Sequence, residues 1–135
     1  FGTLVWGVIQ VFKEIILSNI YLTSNYLILW VSAVMSAIVD NIPFTATMLP
    51  IVAYLSQVIP EVDANILWWA LALGACFGGS GTLIGASANV VTSGLAEKAG
   101  HSITFINFMK AGLPVMIVTM LIATLWMVFV FPHIM

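Results

Sequence analysis

Charge is what this sequence has least of. Its 135 residues include three Lys, no Arg and five acids, so 6% of the chain is charged. Ordinary soluble domains carry about 25% charged residues. With 62% of residues hydrophobic and a mean hydropathy of +1.17, the chain has too little polar surface to coat a soluble fold. That excludes a soluble enzyme and a disordered tail. A nucleic-acid partner needs a basic face, and the formal charge is −2. The single Cys76 leaves no internal disulfide and no cysteine-based metal site, and it reads as a small packing residue in a helix. No basic n-region or small-residue cleavage site opens the chain, so no signal peptide is expected, and the Phe1 start reads as a piece of a longer protein. Alternating short strands are also missing, which disfavours a β-barrel. The class that remains is an all-α integral membrane protein with several passes.

Long uninterrupted apolar runs are scarce too. A spanning helix needs about 20 apolar residues. Residues 1–24 read as a membrane or interfacial helix, because Lys13, Glu14 and Asn19 close its apolar stretch. Residues 26–39 form an apolar helix that covers only about 21 Å of an apolar core ~30 Å thick. It stops at Asp40-Asn41-Ile42-Pro43, and a second apolar helix runs from Phe44 to Gln57 with a kink expected at Pro50. Residues 25–57 therefore read as a re-entrant hairpin or as one kinked spanning helix. Residues 58–65 form a polar loop with Glu61 and Asp63. A broken helix is expected over 66–96. It is interrupted where Gly78, Gly79, Gly81 and Gly85 fall within eight residues, since glycine is a poor helix former. Glu97 to His101 read as a solvated loop, 102–112 as an amphipathic interfacial helix, and 113–131 as the one full-length span, with Trp126 as an interface anchor. Lys98 and Lys110 place the 97–110 loop in the cytoplasm by the positive-inside rule.

Both breaks carry polar side chains. The first offers Asp40, Asn41, Thr45 and Thr47; the second offers Ser80, Thr82, Ser87, Asn89 and Thr92. Non-helical backbone at membrane depth survives only where it is buried in protein or lines a cavity. Its free N–H groups suit anions and its free carbonyls suit Na⁺, so interrupted apolar segments point to a transporter binding site. A carboxylate at mid-bilayer costs about 2.5–3.5 kcal/mol on insertion scales, so Asp40 reads as a proton or cation carrier, or as the cap of the helix that follows. Asn41, Thr45, Thr47, Ser80, Thr82, Ser87 and Asn89 read as ligand candidates, and a Na⁺ site is expected near Asp40, Asn41 and Asn89. Pro43, Gly78, Gly79, Gly81 and Gly85 read as structural residues that permit the breaks, the glycines also allowing close backbone approach.

The segments VDNIPFTATMLPIV (39–52) and GACFGGSGTLIGASANVVTSGLAEKAGH (74–101) resemble the ion transporter superfamily. The likeness is to the C-terminal half of the arsenite-permease, sodium/proton-antiporter and P-protein group, with a citrate-transporter-like domain. It covers roughly residues 25–131. The resemblance implies two inverted repeats, each with a re-entrant hairpin and a discontinuous transmembrane helix, of which this chain would be most of the second. The hairpin-tip motif falls on Asp40, Asn41, Pro43, Thr45 and Thr47. The broken-helix motif falls on Gly81, Thr82, Gly85, Ser87 and Asn89. Related dicarboxylate transporters carry Ser-Asn-Thr at the tip. Here Asp40 stands in place of that Ser and Ile42-Pro43 intervenes, which fits proton or cation coupling better than sodium-coupled dicarboxylate transport.

The expected function is secondary active transport of a small inorganic ion: an anion such as arsenite, or Na⁺ exchanged for H⁺. No cofactor and no enzyme activity are expected. The expected partners are the lipid bilayer, the missing N-terminal half and a second copy in a homodimer; the expected place is the plasma or inner membrane if the source is prokaryotic. A channel subunit is one alternative. An intramembrane serine protease with Ser80 is another, because Gly78-Gly79-Ser80-Gly81 fits a G-x-S-G pattern; it is disfavoured because His101 and His133, the histidines that could serve as its base, read as lying near membrane surfaces while Ser80 lies deep.

Overall fold

The structure is a computed structural model that describes residues 2–59 and 64–134, with side chains at 4, 8, 9, 12–22, 64, 131 and 132 set aside. It is built of helices, and no strand occurs among the described residues. They are α1 (Gly2–Ile38), α2 (Asn41–Val58), α3 (Ala64–Gly78), α4 (Ser87–Lys98), α5 (Phe105–Phe129) and the single turn α6 (Phe131–Ile134).

Two helices are longer than the sequence leads one to expect. α1 passes through Lys13, Glu14 and Asn19 without a break and reaches about 55 Å at 1.5 Å per residue. Polar residues do not end a helix, and no Gly or Pro occurs between positions 8 and 38. Residues 102–112 do not form a separate interfacial helix: α5 is continuous from Phe105, and Lys110 lies within it rather than in a loop. α5 also continues through Pro114, as α2 does through Pro50. Of the polar 58–65 loop, positions 60–63, with Glu61 and Asp63, lie outside the described residues.

α5 is the one described helix long and apolar enough to cross a membrane, with a mean hydropathy of 2.2 in its most apolar window. Its inner stripe is Met116, Met120, Ala123 and Met127, spaced three or four apart as a helix face requires. The opposite face leaves Val118, Leu121, Ile122 and Leu125 exposed.

The frame is a close seam between α1 and α3. A Cβ added at Gly74 would strike the Leu29 carbonyl and lie 2.8 Å from Ser32 Cβ. One added at Gly78 would strike the Ala33 carbonyl and lie 2.6 Å from its Cα. Gly74 and Gly78, four apart, form the small-xxx-small pattern that lets helix backbones meet, and Ser32, Ala33, Ser36 and Ala37 answer it on α1. The Ser36 hydroxyl donates to the Ala75 carbonyl at 2.7 Å across the seam. The contacts rise together along both segments, from Leu29–Gly74 to Ala37–Thr82, so α1 and α3 run parallel. α2 turns back beside α3, and Phe44, Val52, Leu67, Leu71 and Ala75 bury their side chains between them. α5 descends along α3 from Gly112 beside Ser80 to Trp126, whose ring centroid is 6.0 Å from that of Trp69.

Gly78→Ala in the full-length protein is therefore expected to lower stability by about 1–3 kcal/mol, as overpacking does. Gly94→Ala, where a Cβ meets nothing within 4 Å inside α4, is expected to hold or raise it. Thermal midpoints from fluorescence-detected size exclusion check both.

Candidate functional site

The end of α1, the start of α2 and the unwound stretch between α3 and α4 meet at one level of the bundle. Asp40 is the N-cap of α2: its Oδ1 accepts from the Ile42 N–H at 3.1 Å. Pro43 sits in the first turn, where its missing N–H leaves no partner unserved. The Asn41 N–H leaves its own helix and donates to the Gly85 carbonyl at 3.1 Å, joining the hairpin tip to the break.

Thr82 makes the second join. It is buried, its hydroxyl donates to the Ala37 carbonyl at the end of α1, and the same oxygen accepts from the Gly85 N–H at 3.1 Å. Asn89 makes the third. Its Nδ2 donates to the Gly79 carbonyl at 2.8 Å and to the Thr82 carbonyl at 3.0 Å, closing the unwound stretch upon the first turn of α4. Gly79 lies under both asparagines, since a Cβ there would come 3.0 Å from the Gly85 carbonyl and 3.3 Å from Asn41 Nδ2. Asn41, Thr82 and Asn89 are thus brought around Gly79 and Gly85, with Asp40 adjoining Asn41.

The remaining candidates are placed differently. The Thr45 hydroxyl donates to the Asn41 carbonyl at 2.7 Å, and Thr45 and Asn41 line an open groove of about 470 Å³ between α2 and α3. Leu49, Ala72 and Cys76 are also part of its wall, so Cys76 is exposed on a groove rather than packed inside. Thr47 is two positions beyond Thr45, so it points away from that wall; it is exposed and its hydroxyl donates to the Pro43 carbonyl at 2.8 Å. Ser87 is exposed at the first position of α4, whose N-cap Ala86 supplies no side-chain cap. Thr92 turns back on the Ala88 carbonyl at 2.8 Å. Ser80 Oγ donates to the Phe77 carbonyl at 2.6 Å, while His133 Nδ1 is paired with the Phe129 carbonyl at the far end of α5. Among the described residues no group of three His, Cys, Asp or Glu side chains is placed to hold a metal ion. The groups here are amide, hydroxyl, carboxylate and backbone oxygens, which suit hard cations such as Na⁺ rather than soft, thiolate- or imidazole-seeking metals.

Backbone partners were not legible from sequence. The Ala37 and Gly85 carbonyls bind the tip to the break, yet neither residue has a side chain that signals it. α4 ends at Lys98, and Gly100, with φ +88°, closes a Schellman turn in which the His101 N–H donates to the Ala96 carbonyl at 2.9 Å.

Residues 2–74 match the citrate transporter family, CitMHS, and the chain belongs to that family. The mouse P protein is 57% identical over 95 residues, covering 69% of this chain and 11% of the relative. A protein named as an uncharacterized transporter of Mycobacterium tuberculosis H37Rv is 50% identical over 112 residues, 81% of this chain and 25% of the relative. A 46 kDa membrane protein of Mycobacterium leprae is 47% identical over 102 residues, 75% of this chain and 24% of its own length. The chain thus spans between 11% and 25% of these relatives. No solved structure matches it.

Thr82→Val keeps the shape and removes the hydroxyl, leaving the Ala37 carbonyl and the Gly85 N–H without that partner. Stability of the full-length protein is expected to fall by about 1–3 kcal/mol, while Thr82→Ser is expected to stay near wild type. Thermal midpoints of the two variants, compared side by side, check this.

Proposed function

We propose that the full-length protein is a secondary active transporter that moves a small inorganic ion by alternating access, and that this chain supplies one side of its ion site. One observation carries the reading: a hairpin tip and an unwound helix are cross-linked around Gly79 and Gly85, with Asp40, Asn41 and Asn89 gathered there. Broken helices present free backbone dipoles to ions at such junctions. Membership of the citrate transporter family and a relative named as a transporter lend support.

In this reading residues 25–57, the later part of α1 with α2, are a re-entrant hairpin and residues 66–96 a discontinuous transmembrane helix, forming half of an inverted-repeat architecture. α4 has no buried residue and leaves Val90, Val91 and Leu95 exposed, an apolar face for the rest of the longer chain or for lipid. The protein is a multi-pass membrane protein working as a homodimer, with residues 97–110, which carry Lys98 and Lys110, on the cytoplasmic side. The ion is Na⁺ exchanged for H⁺, or an anion such as arsenite. Asp40 favours the first. Its carboxylate is held by one N–H of its own helix, is only part-buried, and stands beside the site. In this reading it is the group that carries the proton or the cation.

The test uses full-length protein in proteoliposomes containing a pH-sensitive dye, given a Na⁺ pulse at fixed membrane potential. Proton movement in the wild type that is lost in Asp40→Asn is the expected result. Proton movement that persists in Asp40→Asn removes Asp40 as the carrier. A wild type with no response removes the antiporter reading and leaves the anion reading, with Asp40 as a cap alone.

A further inference from the structure

We propose that α5 holds the unwound stretch in shape through Gly112 and Met116, and that Gly112 is a positioning residue for the ion site. The inference rests on the ion-site reading above for its functional consequence, and on geometry alone for the contact itself.

Gly112 and Pro114 are the two poorest helix-forming residue types, and both lie inside α5. A helix that only had to cross lipid would gain nothing from this pair. The contact with the break supplies the reason for the glycine. A Cβ on Gly112 would lie 2.5 Å from the Ser80 carbonyl oxygen and 3.0 Å from that of Gly81. Both atoms are backbone, so no side chain can swing aside, and any residue with a Cβ has to displace the loop. One turn further along α5, Met116 is buried with its Sδ 2.5 Å from where a Gly81 Cβ would sit. α5 therefore touches the unwound stretch at two successive turns.

That stretch leads directly into Thr82. A shift at Ser80 and Gly81 moves the Thr82 hydroxyl off the Ala37 carbonyl and the Gly85 N–H, and moves the Thr82 carbonyl that Asn89 holds. The other end of α5 is anchored separately. Trp126 meets Trp69, and Met120 and Met127 are buried in the core with Leu29. The helix thus acts as a strut, fixed to α3 at one end and bearing on the break at the other.

The test is hydrogen–deuterium exchange of the full-length protein in nanodiscs, paired with the Na⁺ dependence of the dye signal. In Gly112→Ala, the amides of Asn41 and Gly85 are expected to exchange about tenfold faster or more, with residues 28–37 of α1 unchanged. Met116→Ala, which adds no atoms and cannot clash, is expected to loosen the same amides by a smaller factor. Leu121→Ala, on the exposed face of α5, is expected to leave them as they are. The Na⁺ concentration giving half-maximal signal is expected to rise several-fold in Gly112→Ala while the maximal rate changes less. Unchanged protection at Asn41 and Gly85 in both variants overturns the proposal, as does a uniform loss across α1 and α3, which would mark a packing defect. An unchanged Na⁺ midpoint with loosened amides overturns the positioning role. A wild type silent to Na⁺ counts against the Na⁺/H⁺ reading alone, and the exchange data still decide whether α5 shapes the break.

Discussion

Peptide groups that leave a helix must find new hydrogen-bond partners, and in an apolar protein water is a scarce one. Residues 79–86 are such a stretch, and their pairing organises the rest of the molecule. Three side chains or backbone groups do most of it. Thr82 reaches the end of α1, Asn89 closes on Gly79 and Thr82, and the Asn41 N–H takes the Gly85 carbonyl. Each bond is modest by itself, about 0.5–1.5 kcal/mol net, but a missing partner in a buried place costs more than a made bond contributes. The hairpin tip and the break are consequently one unit.

The seam between α1 and α3 is what brings that unit together. Gly74 and Gly78 let the two backbones touch, and the parallel course then delivers Ala37 to Thr82. Between hydrocarbon-facing helices, close packing of small residues replaces the hydrophobic drive that water gives a soluble core. The seam leaves Ser32 Oγ buried without a hydrogen-bond partner among the described residues, and Asn25 Oδ1, also on α1, is in the same state. Packing thus sets the height of the tip, polar bonds set its orientation, and the side chains of Asp40, Asn41 and Asn89 inherit both.

Much of this was legible before any coordinates. The shortage of charge gave the class, Asp40-Asn41-Ile42-Pro43 gave the tip, and the glycines from 78 to 85 gave the break, because proline and glycine act locally. Asp40 as a cap was readable for the same reason. What escaped was anything carried by distance or by the backbone. Gly78 is legible as a residue that permits a break and a close backbone approach, but its partner in that approach, Ala33, lies far away in sequence. Lys13 and Asn19 suggested an end to α1, although a polar side chain does not interrupt a helix. A boundary is expected between residues 112 and 113, yet α5 runs through it, and Gly112 answers to the carbonyls of Ser80 and Gly81. Thr47 and Ser87 shared the motif but face away from the groove or lie exposed at a helix start, because facing is decided by helix phase rather than by sequence proximity.

The central claim is that Asn41, from the hairpin, and Asn89, from the broken helix, serve one ion at one site. A double-mutant cycle on initial transport rates tests it most directly, using Asn41→Ala, Asn89→Ala and the pair in the full-length protein. One shared site predicts that each single change slows transport and that the double is scarcely slower than the worse single. Losses that simply add, or a single variant that transports like wild type, would contradict it.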